Sequence, residues 1–135
     1  MSKITSSLIG MLIVVTSSTA LAQWGSGWNI PAGAEKETMP VQATPAVLEQ
    51  GKTVFDANCA RCHGATGVGD GPDSDSRMPA ADLTDPFRAD LNPDGVMFHR
   101  VWSGKPPAMP AFSETLTREQ VWAVVAYAKS LRKAA

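Results

Sequence analysis

Asn58 to Gly64 read NCARCHG, and this short stretch holds both cysteines of the 135-residue chain with a histidine directly after the second. Two cysteines cannot make a disulfide framework, and a bridge between Cys59 and Cys62 would close too small a loop to constrain the unfolded chain much. The pair is therefore chemical before it is structural: two thiols and an imidazole are offered together. A thioredoxin-like dithiol expects its C-x-x-C after a β-strand in a βαβ setting, whereas here a helical pattern leads into the pair and a glycine-rich loop leaves it. A structural zinc site needs four ligands, usually from two separated pairs. This chain has only two Cys and two His in all, with Cys62 and His63 adjacent.

The surroundings narrow the choice. Twelve basic residues stand against thirteen acidic ones, so the net charge is -1 and the pI near 6.1. No broad positive field exists to gather nucleic acid or anionic lipid, and no nucleic-acid partner is expected. Residues 1–22 open with Lys3, continue through an apolar run from Leu8 to Val15 and end in Ala20, Leu21, Ala22. That is the layout of a secretory signal with cleavage after Ala22. The apolar run is well short of the roughly 20 residues a membrane-spanning helix needs. The expectation is export to a periplasm, with no stable membrane span after cleavage.

Residues 23–43, QWGSGWNIPAGAEKETMPVQA, show no periodic apolar pattern and read as an extended arm, with Trp24 and Trp28 available to cover an edge of the domain or to meet a partner. The folded domain is expected over 44–135. Thr44-Pro45 is a good cap followed by the residue best tolerated at the first helical position. From there Val47, Gly51, Val54, Phe55 and Cys59 recur at helical spacing and carry the cysteine pair at the C-terminal end of the helix. Gly51 costs about 1 kcal/mol of helix propensity relative to alanine, which makes sense where another helix crosses closely. The segment from Gly64 to Pro86 is a long Gly, Asp and Pro loop, of the kind that is either disordered or functional. Asn92-Pro93-Asp94 repeats the cap-and-proline start for a short apolar helix that Gly104 stops. KPPAMPAF then forms a stiff loop. Thr117 and Gln120 make a capping box, Leu116 and Val121 a hydrophobic staple, and Val121, Val124, Val125, Ala128 and Leu131 the inward stripe of a last helix to about Leu131. No strand pattern of similar strength exists, so the fold class is all-α with long loops.

C-x-x-C-H is the attachment signature of c-type haem. Each thiol adds across a porphyrin vinyl group to give a thioether, and the adjacent imidazole coordinates the iron. The expected cofactor is one haem c, bound through Cys59 and Cys62, with His63 on the iron. Methionine is the usual second ligand of an electron-transfer haem and raises its potential. Three Met-Pro pairs exist: Met39-Pro40, Met78-Pro79 and Met109-Pro110. Met109 is the expected ligand, because the stiff loop between two apolar helices would present its sulfur from the opposite wall. Met78 is the second choice. Met97 is expected to pack in the core, and His99 to be a hydrogen-bonded or partly exposed imidazole.

From Thr44 to Leu131 the sequence resembles the class I c-type cytochromes. The resemblance is carried by CARCH, Gly71-Pro72, SGKPPAMPAF and LTREQVWAVVAYAKSL. It implies the small class I fold around one haem, with first and last helices crossing through Gly51, Phe55 and Tyr127. It also implies that the carbonyl of a proline after the motif orients the His63 imidazole; Pro72 matches that place best and Pro79 is the fallback. The implied function is a one-electron carrier with His63 and Met109 on iron and no enzymatic activity of its own. Its partners would be a periplasmic dehydrogenase, reductase or terminal oxidase, with Arg61 and Lys105 as candidate contacts for an acidic partner. A subunit held on such an enzyme is the alternative, and a haem enzyme or gas sensor with an open sixth position a more distant one.

Overall fold

The computed structural model describes residues 27–88 and 91–132; the expected signal segment 1–22, its cleavage site and Trp24 lie outside these residues. Thr44 sits in extended backbone, its hydroxyl accepts the N–H of Val47 at 3.3 Å, and Pro45 follows at the first helical position. Helix α1 therefore spans Pro45–Asn58. After Cys59 comes the single turn α2, Ala60–His63. Helix α3 spans Asp94–Ser103 and α4 spans Arg118–Ser130. One-turn 3-10 segments lie at Ala34–Lys36 and Pro86–Arg88. Among the described residues there is no strand, only isolated bridges at Asp75–Met78 and Lys105–Met109. The fold is all-α.

Both halves of the capping box form at the start of α4: the Gln120 N–H donates to the Thr117 hydroxyl at 3.3 Å, and the Thr117 N–H donates to Gln120 Oε1 at 2.8 Å. The same helix supplies the centre of the core. Val121, Trp122 and Val125 surround Phe98 of α3, and Val124 meets Val54 and Phe55 of α1. Phe98 stacks on Trp122 with ring centroids 4.4 Å apart and on Trp102 at 5.7 Å, while the Arg118 guanidinium lies 4.5 Å over its ring. Full burial of each such side chain is worth about 1.5–3 kcal/mol. Where α1 crosses α4, a Cβ on Gly51 would overlap the backbone carbonyl of Ala123, and Phe55 meets Tyr127 with centroids 5.3 Å apart.

Helix α3 starts later than its Asn-Pro pair suggests. Pro93 stands at the cap, and Asn92 is used sideways: its amide donates to the Arg88 carbonyl at 2.6 Å, and its side-chain oxygen accepts from Arg100. Residues 27–41 lie along this helix. Ala34 is buried, the Gly95 N–H donates to the Glu37 carbonyl at 3.2 Å, and Met39 and Val41 pack against the Phe98 cluster.

Asp94 ties the arm, α3 and α4 together. Its carboxylate accepts the Met39 N–H at 3.1 Å and pairs with Lys129. Burial works against its charge, but the hydrogen bonds from Lys129 and Met39, with the charges of Lys129 and Arg132, outweigh it and hold the carboxyl below the usual aspartate range. A depressed folded-state pKa gives stability that is present above the unfolded-state value and is lost as pH falls through the folded one. Asp94→Asn is expected to cost about 1–3 kcal/mol near neutrality. The gap from the parent should close in strong acid, which urea melts across that pH range would read. A gap independent of pH would mean the carboxylate charge contributes nothing.

Candidate haem site

Cys59 closes α1, its N–H bonded to the Phe55 carbonyl at 2.8 Å, and its own carbonyl accepts from the Cys62 and His63 N–H groups at 3.1 and 2.9 Å. The two thiols and the imidazole thus ride on one turn set off the end of a helix. Cys59 and Ala60 rest on the Val54, Phe55 and Val124 cluster. Burial, and then the nearby Cys62, push the Cys59 thiol up to about 12, so it is neutral here. Conversion to an uncharged thioether suits the same apolar setting. The two cysteines are not bonded to each other.

The carbonyls at the end of a helical turn lack partners within it, and here the following loop supplies them. Asp73 N–H donates to the Arg61 carbonyl at 2.8 Å, Gly71 N–H to Cys62 at 3.1 Å, and Gly69 N–H to His63 at 2.7 Å. Gly71 lies so close that a Cβ would overlap the backbone of Ala60 and Arg61. The glycines of this loop let backbone rest directly on the motif and hold its geometry.

His63 Nδ1 lies 3.0 Å from the Ala81 carbonyl. A carbonyl only accepts, so Nδ1 carries the proton and the lone pair is left on Nε2, the tautomer an iron ligand requires. The acceptor corrects the expectation for Pro72 and its fallback Pro79. In a trans peptide the C=O points opposite to the N–H it shares a plane with. The Asp73 N–H points at Arg61, and the only cis peptide among the described residues is Pro106-Pro107, so the Pro72 carbonyl points away from α2. The Ala80 N–H is held by the Ser74 hydroxyl at 3.0 Å, which fixes the Pro79 peptide elsewhere, and the chain reaches His63 only at Ala81. A backbone carbonyl has no side-chain signature, so nothing in the residue types marks Ala81.

Met109 sits between α3 and α4, half-buried, on a loop closed by paired bonds with Lys105: Lys105 N–H to the Met109 carbonyl at 2.8 Å and the reverse at 3.1 Å. The loop's exit is pinned to α3 by Phe112 N–H on the Val101 carbonyl and Ser113 N–H on the Trp102 carbonyl, both at 3.2 Å. Other methionines are placed differently. Met39 and Met97 pack against the Phe98 cluster, with the Met97 sulfur accepting from Arg132 at 3.2 Å, and Met78 is 67% exposed. His99 Nε2 is bonded to Glu37 at 3.1 Å. Arg61 Nε donates to Asp73 at 2.6 Å, so its charge beside the motif is already countered. Sequence reasoning missed Arg100, whose Nε is the buried side-chain polar atom without a hydrogen-bond partner among the described residues.

Two free thiols on one turn and an imidazole with its proton fixed away from Nε2 suit a covalently attached haem. Comparison with known proteins agrees. The family profile described as cytochrome c oxidase, cbb3-type, subunit III matches residues 46–127. Cytochrome c6 of Tetradesmus obliquus is 37% identical over 82 residues, 61% of this chain and 88% of that protein. Cytochrome c6 of Rippkaea orientalis is 36% identical over 100 residues, 64% of this chain and 77% of that protein. Among solved structures, a c-type cytochrome superposes with TM-score 0.55 at 26% identity over 62% of this chain and 98% of its own. A chain of the Kuenenia stuttgartiensis reducing HAO-like protein complex gives TM-score 0.57 at 27% identity over 70% of this chain, which spans 47% of that one. The chain belongs to the c-type cytochromes of class I, the cbb3-type subunit III profile family included. It is an electron-transport protein that carries haem c, with Cys59 and Cys62 as the two attachment thiols.

Proposed function

We propose that the chain is a periplasmic monohaem carrier of single electrons whose iron is held by His63 and Met109. The observation that carries this reading is the Nδ1 contact of His63 with the Ala81 carbonyl, which commits the proton to one nitrogen and leaves the other as a ligand. The haem supplies a ferrous/ferric couple. Cys59 and Cys62 tether it through repeated cycles, the buried Val54 and Phe55 beneath them exclude water, and Met109 offers a thioether that favours the reduced state. Held by both His63 and Met109, the iron would keep no position open to a substrate, so the group would supply electron transfer without turnover at this chain. Among the described residues no helix is long and apolar enough to cross a membrane.

Its partners are a dehydrogenase, reductase or terminal oxidase met in brief encounters, which typically bury under roughly 1,200 Å². A free carrier is the better reading, because Met39 and Val41 of the arm are used in the chain's own core. The profile description favours a second reading, a subunit held on an oxidase. Removing residues 23–31 and testing co-purification separates the two: a carrier is unaffected, whereas a subunit held by its arm is released. The ligation is tested by absorption spectra of the protein matured in a host that attaches c-type haem. A low-spin reduced spectrum, with the weak far-red band of iron-thioether ligation when oxidised, is expected. A high-spin spectrum would overturn the reading.

A further inference from the structure

The loop that carries Met109 is closed at its neck and bare above it. Lys105 and Met109 exchange both backbone hydrogen bonds, at 2.8 and 3.1 Å, while Pro106, Pro107, Ala108 and Pro110 are exposed. Below the neck Gly104 ends α3: its N–H donates to the Arg100 carbonyl at 3.0 Å, and a Cβ on it would overlap the backbone of Pro110 and Ala111. Trp28 reaches this neck from the arm. Its ring centroid lies 5.2 Å from the Arg100 guanidinium and 5.9 Å from the Lys105 ammonium. A Cβ on Gly27, the residue before it, would come within 2.9 Å of Lys105 Cε. The arm is itself fastened along α3, by Gly95 N–H on the Glu37 carbonyl at 3.2 Å, by Met39 N–H on Asp94 at 3.1 Å and by His99 with the Glu37 carboxylate at 3.1 Å.

We infer that Trp28 is a positioning residue: lying against both Arg100 and Lys105, it straps the loop 105–109 to the end of α3 and keeps Met109 in place for the iron. The inference rests on the proposed His63 and Met109 ligation. Arg100 belongs to the helix and Lys105 to the loop, so a ring against both ties one to the other. The two side chains are like charges, and the negative face of an indole attracts each of them. Without the ring, closure is left to one pair of backbone bonds beneath an exposed turn, the kind of segment that opens locally well before the whole fold does. An open loop withdraws Met109 and lets solvent or a competing ligand take its place, whereas a carrier of single electrons works with a ligand set that stays the same in both oxidation states. The family profile begins at residue 46, so the strap lies outside the matched segment.

The test uses the haem-loaded protein and two readouts. The first is hydrogen exchange at the Lys105 and Met109 amides, which are bonded across the neck; in Trp28→Leu both are expected to exchange roughly tenfold faster or more, with amides in the middle of α4 unchanged. The second is the rate at which excess imidazole abolishes the far-red band of the oxidised protein, which should rise by a similar factor although the band itself is kept at rest. Trp28→Phe retains a ring face and should recover part of both. Val125→Ala, a core change that touches neither arm nor loop, should lower the melting temperature and move neither rate. Lys105→Gln should shift both rates as Trp28→Leu does, by less, and gives the reading if Trp28→Leu does not mature. A Trp28→Leu protein that behaves like Val125→Ala would make the residue ordinary packing and overturn the inference. Faster exchange with an unchanged imidazole rate would overturn it too, since the strap would then have no hold on Met109. A parent without the far-red band would overturn the Met109 ligation alone, because exchange at the neck reads the strap whatever the iron binds.

Discussion

Met109→Ala is expected to keep its haem and its helices and to lose at least a hundredfold in the ferrous-to-ferric ratio at fixed potential, about 120 mV. The tethers at Cys59 and Cys62 do not depend on the sixth ligand. The loop also keeps its shape, since the bonds between residues 105 and 109 are backbone to backbone and alanine retains them. What disappears is the sulfur donor, and with it the preference for ferrous iron that methionine gives over harder ligands. The far-red band of the oxidised protein should vanish and high-spin character appear as water takes the position. Met78→Ala serves as the control: that side chain is 67% exposed, and its spectrum and potential should match the parent. A Met109→Ala spectrum identical to the parent would remove Met109 from the iron and reopen ligand chemistry at this haem.

How far the chain could be read in advance follows from where each piece of information resides. Thr44-Pro45 and the Thr117/Gln120 box are local signals, needing only the next turn of backbone, and both caps form where they stand in the sequence. The stripe of α4 was equally plain, although Trp122, which lies outside that stripe, is also buried against Phe98. Cys59, Cys62 and His63 are contiguous, so their placement on one turn followed from the spacing. The Ala81 carbonyl was not legible, because its role depends on a loop whose path is set by backbone bonds from Gly69, Gly71 and Asp73. Asn92 misled for another reason: its side chain is bonded to the Arg88 carbonyl and to Arg100, and so does not cap α3. Trp28 could be read as covering an edge of the domain or meeting a partner, but not which edge, because its contact with Arg100 spans more than half of the chain. Local periodicity marks elements well and marks contacts between distant irregular segments hardly at all.

Gly51→Ala sets two known effects against each other, and their magnitudes decide the sign. In an isolated helix alanine is better than glycine by about 1 kcal/mol, so propensity alone predicts a more stable protein. At this crossing the added Cβ would fall on the carbonyl of Ala123 and within 2.8 Å of the Tyr127 Cβ. Neither atom sits at the end of a flexible side chain, so no rotamer change relieves the overlap and α1 must move off α4. Overpacking of that kind costs about 1–3 kcal/mol and occasionally more, and rigid backbone on one side puts this site at the upper end. Separation would also open the Phe55–Tyr127 contact, whose ring centroids are 5.3 Å apart and whose geometry adds about 0.5–1.5 kcal/mol beyond burial. The net expectation is a loss of about 2–3 kcal/mol, a fall in melting temperature of roughly 10–20 °C for a domain of this size. Because Cys59 stands one residue past the end of α1 and rests on Phe55, the shift should also reach the haem turn and broaden the reduced absorption bands. A variant at least as stable as the parent would mean that the two helices cross loosely and that Gly51 has no packing role.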